Sequence, residues 1–317
     1  MTARPGPTTR FAPAPTGRLH LGHLANAIYV WGFARRHDGR VLLRIEDHDR
    51  QRCRPEYETA LLDDLDRLRL AAAEPSTDAL RAGPSAYRQS DCGAVYEAAL
   101  QRLGEATGVY ACDCSRATFV AWHAANARAW AGPGCPGGCR ARGLEQRAGL
   151  TLRAALGDGT EAWDDLLLGR RSGAVSRDGD LVVRDRNGNW TYAFCVVVDD
   201  IRHGIDLVVR GADLAEATPA QIRLARLLGR PVPPRFAHHP LVRRPDGSKL
   251  SKADGATAIA ELLDAGRSPE QLFGEALQRV GLDPSGAPLS FEDAIARVGP
   301  TITPSAGRLR GSSRSGR

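Results

Sequence analysis

The chain of 317 residues has no apolar run approaching the ~20 residues that a membrane-spanning helix requires, so no helical anchor is read within it. No long apolar stretch follows its first arginines, so no secretory leader is read there and a cytoplasmic protein is expected. Internal repeats are missing, which leaves repeat architectures aside. There is no single dense basic run either. The formal net charge is +6 and the pI ≈ 9.1, but the arginines are spread along the chain, a balance compatible with a nucleic-acid partner and weak evidence for one by itself. A paired cysteine framework is also lacking: the cysteines number seven, four of them (Cys112, Cys114, Cys135, Cys139) crowd one segment, and Cys53, Cys92 and Cys195 stand alone. That distribution fits a metal site better than a secreted disulfide scaffold, with the three isolated thiols packing as small apolar side chains. What remains is an ordinary soluble composition, 42% hydrophobic and 25% charged, over a length that suits two or three domains.

Periodicity organises the chain. Phe11 to Ala14 reads as a short strand ending at Pro15, and Leu24, Ile28 and Trp31 then recur at helical spacing. Val41 to Ile45 is a second strand, closed by the acidic "EDHDR", and Pro55 opens a helix that carries Leu61, Leu65 and Leu68 on one face. This βαβα order predicts an α/β fold with a parallel sheet. A helix over 91–107 precedes a cysteine segment rich in turn residues. Strands are then expected at "LVVRD", "FCVVVDD" and "IDLVVRG", followed by a helix from Thr218 to Leu228 and helical structure over 256–282. The tail "GRLRGSSRSGR" reads as disordered.

Three stretches carry chemistry. "RFAPAPTGRLHLGHL" (10–24) places His20, Gly22 and His23 between a strand and a helix N-terminus, where unpaired backbone N–H groups and the helix dipole attract a phosphate. The two histidines can donate to phosphate oxygens as charge builds, and Gly22 leaves room for a nucleotide; a polar loop or a helix cap is the plainer reading of the same residues. "GSKLSK" (247–252) sets Lys249 and Lys252 around Ser251, so mobile ammonium groups can meet the β- and γ-phosphates of ATP, although a lone K-x-S-K is usually a solvated loop. "YACDC" followed by "CPGGC" gives C-x-C-x20-C-x3-C. Four such thiolates can close one tetrahedral, structural Zn2+ site, with four unliganded thiols in a Gly-rich insert as the alternative.

An HxGH loop after the first strand and K-x-S-K after a later one resemble together the HIGH and KMSKS signatures of class I aminoacyl-tRNA synthetases. "RFAPAPTGRLHLGHL", "LRIEDHDRQR", "TYAFCVVVDD" and "LVVRGADL", in this order, are similar to the glutamate and glutamine branch of that class, over nearly all of residues 9–260. The resemblance implies a Rossmann-like, doubly wound parallel sheet, with His20, His23, Lys249 and Lys252 catalytic and with Gly22 and Ser251 also at ATP and its Mg2+. It implies a glutamate pocket of Arg10, Ala14, Glu46, Tyr192 and Arg210. The chemistry agrees: Arg10 and Arg210 are suitable forks for carboxylates and Glu46 can pair with an α-ammonium. Each also has a structural alternative, Arg10 bridging other charges, Arg210 pairing with a nearby aspartate, Glu46 capping a helix and Tyr192 filling a sheet core.

Glutamyl- and glutaminyl-tRNA synthetases continue well past the KMSKS loop into an anticodon-binding region, whereas only a short stretch follows Lys252 here. That layout, with cysteines in the insertion, resembles the glutamyl-Q tRNA(Asp) synthetase family, which implies activation of L-glutamate by ATP and its transfer to queuosine in the anticodon loop of tRNA(Asp). The implied organisation is 1–108 as the first half of the catalytic domain, 109–180 as an acceptor-type insertion with the zinc site and 181–253 as the second half. A short helical region (254–300) and a disordered basic tail (301–317) complete it, with no anticodon-binding domain and a monomer expected. The sequence departs from the family at Cys135, where a tyrosine is usual, and at Ala253, where the signature has serine; His123 competes as a zinc ligand. A short glutamyl-tRNA synthetase charging a tRNA 3′ end and a catalytically silent synthetase-like RNA binder are the alternatives. The silent binder is expected to have lost some of His20, His23, Lys249 and Lys252, and all four are present.

Overall fold

The computed structural model describes residues 6–126, 135, 138–176, 179–242 and 257–299. Strand β1 (Thr8–Phe11) leads through a proline-broken loop into helix α1 (Leu21–Arg36), and β2 (Arg40–Leu43) returns parallel to β1 with Arg10 opposite Leu42. The expected strand 11–14 therefore ends earlier, because Pro13 and Pro15 lack the N–H a ladder needs. Helix α2 (Pro55–Arg67) buries Leu61, Leu65 and the capping Leu68 as its spacing predicts. Helices α3 (Thr77–Arg81) and α4 (Gly93–Thr107) follow, then β3 (Val109–Cys112), α5 (Arg116–Asn126), α6 (Gly138–Arg142) and β4 (Thr151–Ala154).

The chain next forms a hairpin of β5 (Thr160–Asp165) and β6 (Gly169–Ala174), then β7 (Leu181–Arg184), α7 (Tyr192–Arg202), β8 (Leu207–Gly211), α8 (Thr218–Leu227) and β9 (Arg235–His239). Strands β8 and β9 pair parallel, β5 joins β9 parallel through Asp165 and Phe236, and β6 forms an antiparallel edge. Strand β8 also lies beside β1, whose Thr8 carbonyl accepts from the Asp206 amide. Strands β3, β4 and β7 form a separate antiparallel sheet that carries the cysteines. One core gathers α1 with β1, β2, β8 and β9, while a second packs α4, α7 and α8 together.

"FCVVVDD" is a helix, α7, where a strand was expected. Phe194 to Asp200 are buried on every side, so the polar positions that reveal a helical period are missing and three consecutive valines read as β. Packing then outweighs an intrinsic preference of only a few tenths of a kcal/mol per residue. The expected helical stretch 256–282 is two helices, α9 (Ile259–Asp264) and α10 (Pro269–Arg279), separated at Gly266, whose φ of 84° an L side chain rarely adopts. Helices α10 and α11 (Phe291–Ala296) cover α1 while α9 packs on α2, and a Cβ at Gly32 of α1 would lie 2.5 Å from Val298 Cγ2, so that helix tolerates no side chain there. The expected tail 301–317 lies outside the described residues.

Candidate active site

A cleft of about 410 Å³ opens at the carboxyl ends of β1, β8 and β9, beside the N-terminus of α1. Open α/β sheets bind ligands at such ends, because the loops diverge there and helix N-termini point into the gap. Its walls include Arg10, His20, Gly22, His23, Glu46, Tyr192 and Arg210, residues drawn from far apart in the chain. Ala14 is not on its wall. Lys249, Ser251 and Lys252 lie outside the described residues.

The HxGH loop has a defined proton arrangement. His20 is the N-cap of α1 in an extended conformation, and its Nδ1 accepts the Gly22 amide at 3.0 Å, while His23 Nδ1 accepts the His20 amide at 3.1 Å. A ring nitrogen that accepts carries no hydrogen, so in each neutral imidazole the proton sits on Nε2 and that atom donates. The cap and the phosphate-donor readings are therefore compatible. A Cβ at Gly22 would lie 2.7 Å from His20 Cε1. The glycine thus makes room for the histidine ring, a more specific reason than space for a nucleotide.

Arg10 is buried and partly committed: its Nε donates to Asp200 at 3.1 Å and Nη1 to the Val209 carbonyl at 3.3 Å. The fully buried Arg44 donates to the same Asp200 at 2.7 Å and to Glu46 Oε1 at 2.8 Å. Burial raises the Asp200 pKa, but Arg10 and Arg44 outweigh it and hold the carboxyl below its ordinary value. Glu46 is thereby fixed at the wall as a carboxylate acceptor for a cationic group.

Arg210 differs from Arg10. It is 5% exposed, yet the five hydrogen bonds recorded for it among the described residues go to neutral acceptors. Three are short: Nε to His238 Nε2 at 3.0 Å, Nη1 to Gln221 Oε1 at 2.6 Å and Nη2 to Thr218 Oγ1 at 2.9 Å. Two are long, Nη1 to Tyr192 Oη at 3.5 Å and Nη2 to the Leu214 carbonyl at 3.3 Å, and these acceptors alone belong to cleft-wall residues. One Nη1 and one Nη2 hydrogen are thus weakly held on the open side, the pair that grips a carboxylate end-on. A buried cation among neutral groups is costly unless an anion completes it. Tyr192 begins α7 instead of filling a sheet core, and its hydroxyl borders the same spot.

Sequence reasoning missed Asn26, Asp213 and His239, which also line the cleft. Asn26 follows His23 at i+3, a spacing that places both on one face of a helix and could have revealed it. Its amide lies 3.0 Å from His239 Nε2, and His239, held neutral by burial with a pKa lowered to about 4, stacks on Tyr29. No local signal announces His239, because strand pairing brings it there.

The four clustered cysteines come together, Cys112 at the end of β3, Cys114 just after it, Cys135 bridged to Asp180 and Cys139 on α6: all four sulfurs lie within 4.8 Å of one another, with Cys114 to Cys139 at 3.4 Å and Cys114 to Cys135 at 3.8 Å. Tetrahedral Zn–S bonds of about 2.3 Å place sulfurs about 3.8 Å apart, so the set fits one Zn2+. Arg142 backs it by pairing with Asp113 at 2.7 Å and reaching Cys139 Sγ at 3.9 Å, which offsets thiolate charge. The His123 side chain lies outside the description.

Residues 8–295 match the model of the tRNA synthetases class I (E and Q) catalytic domain. The chain is 40% identical to the glutamyl-Q tRNA(Asp) synthetase of Symbiobacterium thermophilum over 90% of each chain, and 41% identical to that of Nocardia farcinica over 88% of this chain and 86% of the relative. A glutamate tRNA ligase of Elizabethkingia meningosepticum in complex with its amino acid shares the fold, with a TM-score of 0.74 and 24% identity over 93% of this chain and 65% of that one. No described helix is long and apolar enough to cross a membrane. The chain therefore belongs to the class I tRNA synthetases of the glutamate and glutamine type, within the glutamyl-Q tRNA(Asp) synthetase family.

Proposed function

We propose that this protein activates L-glutamate with ATP as glutamyl-adenylate and transfers the glutamyl group to queuosine in the anticodon loop of tRNA(Asp), acting as a cytoplasmic monomer. The observation that carries the amino-acid half is Arg210, a buried guanidinium among neutral acceptors whose weakly held hydrogens face the cleft. It grips the side-chain carboxylate with Tyr192 beside it, Glu46 takes the α-ammonium, and Arg10, half neutralised by Asp200, steadies the substrate carboxylates. The α-carboxylate then attacks the α-phosphorus in line and pyrophosphate leaves. Nε2–H groups of His20 and His23 donate to the phosphates as negative charge develops, and the ammonium groups of Lys249 and Lys252 with the Ser251 hydroxyl serve the same phosphates. Mg2+ offsets phosphate charge when bound. Cys112, Cys114, Cys135 and Cys139 hold Zn2+ as a structural element, since four thiolates leave no open coordination position.

The queuosine acceptor is supported by relatives named for it, which align over nearly all of this chain. A second reading, a synthetase charging a tRNA 3′ end, draws on the glutamate tRNA ligase 2 of Nitrosococcus oceani, 38% identical over 83% of this chain and 57% of that relative. The test is glutamate-dependent exchange of pyrophosphate into ATP without tRNA, followed by transfer of labelled glutamate to tRNA(Asp) with and without queuosine. Exchange with transfer only to the queuosine form is expected. Charging of tRNA(Glu) instead would establish the second reading, and absence of both reactions would refute the first.

A further inference from the structure

Behind Arg210 lies a line of side chains that the catalytic reading does not use. Arg210 on β8 is the register partner of His238 on β9, and Asp165 at the end of β5 reaches His238 from the next strand. His238 Nδ1 hydrogen bonds an Asp165 oxygen, and His238 Nε2 accepts Arg210 Nε at 3.0 Å. The His238 and Asp165 side chains are fully buried, and neither residue touches the cleft.

We propose that Asp165 and His238 are positioning residues that fix the Arg210 fork for a carboxylate and so set the preference for glutamate over glutamine; this rests on the glutamate reading above. Asp165, as a carboxylate, only accepts, so the His238 proton must sit on Nδ1. Nε2 is then a lone pair facing the Arg210 Nε–H. The opposite tautomer would set two N–H groups against each other and turn the guanidinium out of plane. Asp165 is itself anchored, its Oδ1 accepting the Leu167 and Leu168 amides at 3.0 Å each. Burial tends to raise its pKa, but the bond from His238 and these amides hold it below the ordinary value. Burial in turn lowers that of His238, against the opposing bond to Asp165 and with help from Arg210, which keeps the ring neutral.

The arrangement also explains why a carboxylate sits so close to Arg210 without pairing with it. A direct partner would neutralise the fork and remove its demand for an anionic substrate. With one neutral imidazole between them, the aspartate orients the cation and leaves its outward hydrogens to the ligand. A carboxamide has only one acceptor oxygen and meets one of the two N–H groups with its own donors, so discrimination depends on holding the fork flat and still.

The test uses the full-length protein and three variants, with KM for glutamate, glutamine and ATP read in pyrophosphate exchange and with melting temperatures recorded. Asp165→Asn keeps an oxygen for the Leu167 and Leu168 amides but presents an NH2 group to Nδ1, which favours the wrong tautomer. His238→Asn can reach Asp165 and is too short to reach Arg210, whereas the amide oxygen of His238→Gln reaches Arg210. Asp165→Asn and His238→Asn are expected to raise the glutamate KM at least about tenfold, the effect of misplacing one charge-assisted hydrogen bond, and to narrow the glutamate-to-glutamine ratio. The ATP KM should stay within about twofold, because ATP does not bind through this fork, and His238→Gln should recover most of the loss. An unmoved glutamate KM, an equal rise in both KM values, or equal behaviour of His238→Asn and His238→Gln would overturn the proposal while the glutamate reading stands. Failure of the unsubstituted protein to use glutamate would remove both.

Discussion

Replacing Arg210 by lysine keeps the charge and removes the fork. The guanidinium now meets five protein acceptors, three of them short and on its buried side. An ammonium has three donors, so at least two acceptors lose their partner, at about 1–3 kcal/mol for each that stays dry. The substrate carboxylate likewise keeps one charge-assisted bond where it had two. That loss of about 1.5–3 kcal/mol corresponds to a fall of roughly 10- to 150-fold in kcat/KM for glutamate. Pyrophosphate exchange measured against glutamate at saturating ATP, and against ATP at saturating glutamate, separates the two substrates. The glutamate constant should bear the loss and the ATP constant should not, while a lower melting temperature reports the unpaired acceptors. An Arg210→Lys protein that uses glutamate within about threefold of the original would refute the assignment of this fork to the side-chain carboxylate.

Gly22→Ala pushes the His20 ring from its position, since the new Cβ would lie 2.7 Å from His20 Cε1. Loss of one transition-state donor predicts an exchange rate down by about two orders of magnitude, with folding retained by circular dichroism, and an unchanged rate would count against the donor role. Metal analysis of the purified protein should find one zinc per chain, and Cys139→Ser should lower that content; a zinc-free native protein would exclude the site. Asp64 is buried, its Oδ2 has no hydrogen-bond partner among the described residues, and burial, opposed by Arg67 and Arg18, raises its pKa from 3.8 to about 6. The folded state therefore holds this proton more tightly than the unfolded chain, so the stability it contributes is complete below pH 3.8 and is lost as the pH rises through about 6. Asp64→Asn should then raise the melting temperature more at pH 8 than at pH 5, by the equivalent of roughly 1.4 kcal/mol at most, and an equal effect at both would contradict the shift.

The sequence by itself determined the elements whose pattern is local. The helix that carries Leu24, Ile28 and Trp31, the leucine face of α2, and the motif order from "RFAPAPTGRLHLGHL" to "LVVRGADL" are written in consecutive residues, where propensity and spacing act directly. It also named seven residues that the cleft brings together and the four cysteines that cluster. Tertiary structure alone decided the rest. Helix α7 reads as a strand because neighbours bury it on all sides and erase its period. The short bonds that hold Arg210 come from α8 and β9, and only strand register sets His238 beside it and Asp165 of β5 behind His238. Register is a property of the assembled sheet, fixed by what each strand buries and not by any residue's own preference, so a relay that crosses three strands leaves no mark in the order of the amino acids.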